Sequence, residues 1–307
     1  MIEEIGFLIK DRSSIKNISN NFFNNYINPA EIDPSYGRVE GNTVIYLGAR
    51  VDPSDLEEYS CMSVYKGKKI YYKLNSHAHR CEEFKPLDDN KTNILFAGCS
   101  ATFGEALPEG YTWDNHLYRT LSSTYPNIGP FNSLGYPGQG ADHIVDNIIT
   151  YCNTFGNPKT IYVLLPDYGR MKSWDSKSQS FRTIFPDNKT KHSANQTDLH
   201  DFLLEYVRSI QRLSDYCTIN NISLFMTSWD APTSYLISKL NLKNFISIYD
   251  SDGNPQLLHR LDYELEVTPY TDLEFLFDAA DEQHYGLVGQ LSFAKNIYEI
   301  SKELGMI

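Results

Sequence analysis

The sequence predicts an α/β fold in which a parallel sheet is covered by helices on both faces, preceded by a β-rich N-terminal extension. Three observations carry that expectation. From Asn93 onward, short apolar runs alternate with longer stretches of helical periodicity, the pattern of strands joined by crossover helices. The first run, Ile94 to Gly98, contains no polar side chain, as a strand buried on both faces requires. Before residue 90 the pattern differs. Ser63–Tyr65 and Lys69–Leu74 flank a Lys-Gly-Lys turn, which reads as a β-hairpin.

The elements follow in order. Residues 1–40 are polar and rich in asparagine, with a short helix expected around Ser19–Tyr26, and Thr43–Leu47 begins the strand pattern. We divide the chain into an extension, 1–90, and a main domain, 91–307. In the main domain Trp113–Ser123 has helical spacing, Phe131–Leu134 is a second strand, and Asp142–Phe155 is an amphipathic helix. Thr160–Leu165 supplies a third strand. Asp201–Cys217 places Phe202, Leu203, Tyr206, Val207, Ile210 and Leu213 on one helical face. Ile222–Met226 is a fourth strand, Phe245–Ile248 a fifth, and Tyr285–Leu304 the last helix. The polar segment Tyr168–Thr197 is long for a connection and reads as a lid or an interaction loop. Sheets of this kind bind ligands beyond the carboxyl ends of their strands, so the informative residues should follow Gly98, Leu134, Leu165 and Met226.

Composition narrows the function classes. The 307 residues carry 27 basic and 39 acidic side chains, a net charge of −12, with no Lys/Arg stripe to offset it. That argues against a nucleic-acid partner. Five scattered cysteines without a Cys-x-x-Cys pair fit neither a zinc knuckle nor a disulfide framework. The opening Met-Ile-Glu-Glu-Ile is acidic where a signal peptide is basic, and no run reaches the ~20 apolar residues of a membrane span. The expectation is a soluble chain, cytoplasmic at synthesis, able to join a homo-oligomer or larger assembly. The 22 tyrosines and 16 phenylalanines suit sugar contacts, protein interfaces or a core alike.

Chemistry concentrates in two places. Gly98-Cys-Ser100-Ala-Thr102-Phe-Gly104 follows the first strand. A serine there, bracketed by glycines, can present its hydroxyl and aim the following amides at a developing oxyanion; equally, Ser100 can serve as a turn or N-cap residue. Asp281-Glu-Gln-His284 precedes the last helix. Acyl transfer by serine needs a base and a carboxylate to orient it, and one short loop can carry both Asp281 and His284.

Together these residues resemble the SGNH (GDSL-like) hydrolase superfamily: Gly-x-Ser-x-Thr-x-Gly after the first strand, and Asp-x-x-His-x-x-x-x-Gly289 before the last helix. Asn75-Ser76-His77-Ala78-His79-Arg80-Cys81-Glu82-Glu83-Phe84 is similar to an Asn-Ser…Arg…Glu-Phe segment found ahead of the nucleophile strand in one branch of that family. The resemblance spans roughly residues 70–305 and implies a three-layer, flavodoxin-like α/β/α domain. It also implies a catalytic triad of Ser100, His284 and Asp281 that needs no cofactor and no metal. The oxyanion hole it implies uses the amides of Ser100 and of a glycine after the second strand, where Gly138 stands best, with Gly135 or Gly140 as alternatives.

The chain departs from the family pattern in two blocks. Cys99 replaces the usual Asp before the serine, in the Gly-Cys-Ser form of the block, and reads as a small buried hydrophobe. Where the third block has an Asn that donates to the oxyanion, this chain has Pro166-Asp167-Tyr168-Gly169-Arg170. An ionised Asp cannot donate, whereas Tyr168 or Arg170 can. His77 and His79 lie on one face of an extended segment and could bind metal, with packing the simpler role. His116 reads as structural. Glu105, Trp113, Trp229 and Asp230 are further residues near the expected pocket.

The expected activity is hydrolysis of a short-chain ester, acetyl foremost, on a small acyl ester or an acylated glycan. The carbohydrate preference rests on the resemblance and on the tyrosines. Two alternatives stand beside it: an inactive SGNH-fold structural or binding protein, for example in a viral or surface assembly, and an O-acyltransferase using the same triad.

Overall fold

The computed structural model describes residues 38–40, 43–45, 60–65, 68–77, 79–105, 107, 110–175, 180–184, 199–248 and 286–306. The helix expected over Ser19–Tyr26 lies outside them.

Strands β1 (Arg38–Glu40), β2 (Thr43–Ile45), β3 (Ser60–Tyr65) and β4 (Lys68–Lys73) form a four-stranded sheet in sequence order. β3 and β4 pair antiparallel, Tyr65 opposite Lys68, as the Lys-Gly-Lys turn requires. The second sheet consists of β5 (Ile94–Gly98), β6 (Asn132–Gly135), β7 (Thr160–Leu165) and β10 (Ser223–Ser228), all parallel, in the spatial order β10-β7-β5-β6. This is the doubly wound order of flavodoxin-like folds. The direction of winding reverses between the first strand and the third, here β5 and β7, and ligands in such folds bind at that point.

Alternation along the strands divides the core into two layers. Leu95, Ala97, Ile161, Val163, Leu165, Leu224 and Met226 face helices α3 (Ala141–Phe155) and α4 (Leu199–Ile219). Ile94, Phe96, Tyr162, Leu164 and Phe225 face α2 (Trp113–Thr124) and α6 (Leu287–Glu303). Each helix turns one apolar stripe to the sheet: Ile144, Ile148, Tyr151 and Cys152 from α3, and Phe202, Tyr206, Ile210, Leu213 and Cys217 from α4. The short α1 (Ser100–Phe103) and α5 (Ala231–Ser238) follow β5 and β10.

Two expectations are corrected. Phe245–Ile248 is not a fifth strand: Phe245 makes one isolated parallel bridge with Met226. The preceding Leu242 and Asn244 lie in a turn whose asparagine adopts a left-handed backbone (φ 66°), and this leaves no extended ladder. The segment Tyr168–Thr197 is not a plain loop either. It contains an antiparallel pair, β8 (Met171–Asp175) and β9 (Ser180–Ile184). No helix of the described residues is long and apolar enough to cross a membrane.

Candidate active site

The Gly98–Gly104 block earns each of its residues physically. At Gly98 the backbone approaches β7 so closely that an added Cβ would stand 2.6 Å from the Leu164 carbonyl oxygen and would collide with the Thr102 hydroxyl. Only glycine fits. Cys99, at φ −92° and ψ −146°, is the N-cap, so Ser100 opens the helix rather than capping it. Thr102 Oγ1 accepts the indole N–H of Trp113 at 3.0 Å. Gly104 ends the helix in the left-handed region (φ 74°), its amide returning to the Ser100 carbonyl. Ser100 therefore stands on the first turn of a helix at the carboxyl end of the central strand, where first-turn amides have no intrahelical acceptor.

The ends of the other strands gather around it. β6 reaches the Ser100 turn through Gly135, where an added Cβ would lie 2.6 Å from Phe103 N and 2.8 Å from the Thr102 carbonyl carbon. The chain then turns: Tyr136 N donates to the Gly98 carbonyl at 3.2 Å. Gly138 adopts a left-handed conformation (φ 74°) with no atom within 4 Å of where a Cβ would be. Its amide lies on open, exposed backbone. Gly140, by contrast, is packed against the Arg170 carbonyl, and Gly135 against α1. Of the three glycines, Gly138 alone has open space where a side chain would stand.

After β7, Asp167 folds back on its own loop. Its carboxylate accepts Gly169 N at 3.0 Å and Arg170 Nε at 2.8 Å. Tyr168 packs against the core layer of α3 and α4, and its amide donates to Thr233 Oγ1. The Arg170 guanidinium, whose side chain is 17% exposed, lies over the Trp229 ring at 5.9 Å. Burial opposes its charge, but the Cys99 sulfur and the Asp167 and Glu105 carboxylates outweigh that and hold the guanidinium above its ordinary range. Trp229 Nε1 donates to Cys99 Sγ at 3.2 Å, and Ser100 Oγ lies 3.9 Å from the same sulfur. Cys99 is thus fully buried, as a hydrophobe would be, and it also links Trp229 to the nucleophile turn. Asp230 caps α5, accepting Thr233 N at 2.9 Å.

Asp281 and His284 lie outside the described residues. The described chain resumes at Gly286, the N-cap of α6. The first turn of α6 is tied to the serine turn: Gln290 Nε2 donates to the Ala101 carbonyl at 3.3 Å.

Sequence reasoning placed the Asn75–Phe84 segment without assigning its function. Asn75 Oδ1 accepts the amides of His77 and His79, and Glu83 receives the amide and hydroxyl of Ser76. Arg80 Nη1 donates to the carbonyls of Phe103 and Gly104, both at 2.8 Å, closing the free end of α1. Both histidines pack on Phe84. His79 Nδ1 is 3.2 Å from the Gly135 carbonyl, and burial lowers the ring's pKa to about 4. Among the described residues no group of three or more His, Cys, Asp or Glu side chains could hold a metal. His116 packs edge-on to Tyr111, with burial lowering its pKa to about 4.

Asp114 went unnoticed in the sequence. It is 1% exposed and accepts Ser133 Oγ at 2.6 Å, the Asn115 amide at 2.9 Å, and the Thr112 hydroxyl. Burial raises its pKa despite those bonds. It borders a cavity of about 490 Å³ that Arg80, Thr102, Phe103, Ser133 and Gly135 also line. Ser100, Gly138, Arg170 and Trp229 do not line it, so it is distinct from the serine site.

The chain is similar in fold to solved structures. TesA matches at 8% identity over 69% of this chain and 99% of its own, with a TM-score of 0.42. A G-D-S-L family lipolytic protein of Desulfitobacterium hafniense matches at 12% identity, covering 68% of this chain and 99% of its own, TM-score 0.40. An acetyl xylan esterase of Butyrivibrio proteoclasticus matches at 11%, covering 73% and 67%, TM-score 0.42. No family model matches the sequence, and no curated protein matches it.

Proposed function

We propose that the chain is a serine esterase of the SGNH type, hydrolysing a short-chain ester, acetyl foremost, through Ser100, His284 and Asp281. One observation carries the reading. Ser100 opens a helix at the carboxyl end of β5, where the winding of the sheet reverses. His284 takes the Ser100 proton as Oγ bonds to the ester carbonyl carbon, and returns it to the departing alcohol. Asp281 orients the imidazole and stabilises the imidazolium. Water then attacks the acyl-enzyme with the same base, releasing the carboxylic acid and restoring the Ser100 hydroxyl. The Ser100 and Gly138 amides hold the oxyanion. Arg170 is the better third donor, since Tyr168 is turned to the core and Asp167 is paired within its own loop. An acylated glycan is the substrate class we favour.

A non-catalytic role of the same fold draws support from Asp167, which stands where an amide donor is expected; losing one such donor costs about 10²–10³ in rate. A fluorophosphonate probe and p-nitrophenyl acetate separate the two readings. The esterase predicts covalent labelling and turnover in the wild type, both lost in Ser100→Ala and His284→Ala. A folded wild type that is neither labelled nor active would overturn it.

A further inference from the structure

We infer that Gln290 is a positioning residue that holds the turn bearing Ser100 against the start of α6, the helix that follows Asp281 and His284 in the sequence. The inference rests on the esterase reading and adds a residue that no sequence motif marked.

Gln290 is fully buried on the first turn of α6, its own amide bonded to the N-cap carbonyl of Gly286. Its side chain reaches two other elements. Oε1 accepts the Trp113 backbone N–H at 2.9 Å, and Nε2 donates to the Ala101 carbonyl at 3.3 Å. The partners fix which end is which, because a backbone N–H can only donate and a carbonyl can only accept. The bond to Trp113 has a clear structural use. Thr112 makes no side-chain cap at the start of α2, so Gln290 supplies an acceptor to a first-turn amide that the helix itself leaves open. The bond to Ala101 has no such use in α2 or α6. It joins the residue next to Ser100 to the turn that begins two residues after His284.

The same junction is tied a second time through Trp113, whose indole N–H bonds to Thr102 Oγ1. The nucleophile helix is therefore gripped at Ala101 and Thr102 by groups that meet at one point, the N-terminus of α2. A nucleophile and base carried on elements so distant in sequence must be held to a fraction of an ångström, and a misplacement of 1 Å costs about 10²-fold in rate.

The two bonds can be separated by substitution. Gln290→Met removes both. Gln290→Glu keeps an acceptor for Trp113 N–H; buried, its carboxyl is neutral and offers an O–H to the Ala101 carbonyl, and that donor is lost once the carboxyl ionises. Ser292→Ala, a buried site on the same helix, is the control. Hydrolysis of p-nitrophenyl acetate is measured per active site titrated with the fluorophosphonate, so loss of folded protein does not enter. Gln290→Met should lose about 10²-fold in kcat with KM within twofold of the wild type, Gln290→Glu should fall by the same factor only as its carboxyl ionises with rising pH, and Ser292→Ala should match the wild type. A Gln290→Met enzyme as fast per site as the wild type, or a Gln290→Glu enzyme as fast as the wild type from about pH 6 to about pH 10, would overturn the inference. A wild type that takes no label would instead overturn the esterase reading and this inference with it.

Discussion

Acid should destabilise this protein through His79, and the size of the effect follows from where the ring sits. His79 is 2% exposed, packed on Phe84 and Tyr136, with Nδ1 against the Gly135 carbonyl. A carbonyl only accepts, so Nδ1 carries the hydrogen. Burial lowers the pKa from 6.5 to about 4. The unfolded chain therefore binds a proton that the folded one refuses between those two values, and stability rises with pH across that window. Above pH 6.5 the full stability is present. It is lost as pH falls toward 4, and below that both states are protonated and the cost levels off. The total is about 3 kcal/mol, at about 1.4 kcal/mol per pH unit, and about 2 kcal/mol of it is already lost at pH 5. Urea unfolding at pH 8 and pH 5 measures the difference directly. His77 and His116, also lowered by burial, push the same way, so the comparison needs His79→Gln, which keeps a donor for Gly135. The difference between the two pH values should shrink by about 2 kcal/mol in that variant. An unchanged difference would refute the burial argument.

Three substitutions test the turn around Ser100. Thr102→Val removes the acceptor of a fully buried indole N–H at nearly constant volume; urea unfolding should show a loss of about 1–3 kcal/mol, and an unchanged midpoint would mean the bond contributes nothing. Gly135→Ala sets a methyl group 2.6 Å from Phe103 N and must displace α1. It should cost about 1–3 kcal/mol in unfolding and lower the rate of fluorophosphonate labelling at least tenfold, whereas Gly138→Ala, with open space around it, should cost stability only through its left-handed backbone.

Much of the architecture was legible because burial on two faces leaves a plain mark. Ile94–Gly98 and Thr160–Leu165 have the apolar character of strands covered on both sides, and α3 and α4 show their stripes at helical spacing. Phe245–Ile248 looked like a strand for the same reason, and one bridge to Met226 was all that its turn geometry allowed. Short apolar runs do not encode whether a ladder partner continues alongside. The hairpin of β8 and β9 was hidden because its strands are short and of mixed character, so that the apolar pairs Met171 with Ile184 and Trp174 with Phe181 emerge only once the register is known.

The site divides along similar lines. By itself the sequence determined the block around Ser100, because a turn that must hold glycines at Gly98 and Gly104 and a serine between them tolerates few alternatives; its other candidates, Asp281 and His284, lie outside the described residues. It put Gly138 ahead of Gly135 and Gly140 after β6, and left Tyr168 and Arg170 as alternatives after β7. Only the tertiary structure shows their surroundings: Gly135 is pressed against α1 and Gly140 against Arg170, while Gly138 is open, and Tyr168 turns to the core while Arg170 lies over Trp229. The bond from Ser133 to Asp114 and the contacts of Gln290 were likewise invisible, since they join groups far apart in the chain. Local sequence fixes backbone geometry, through glycine and helix periodicity. Which polar atom meets which across the fold depends on how the sheet and its helices pack, and no window of sequence contains that.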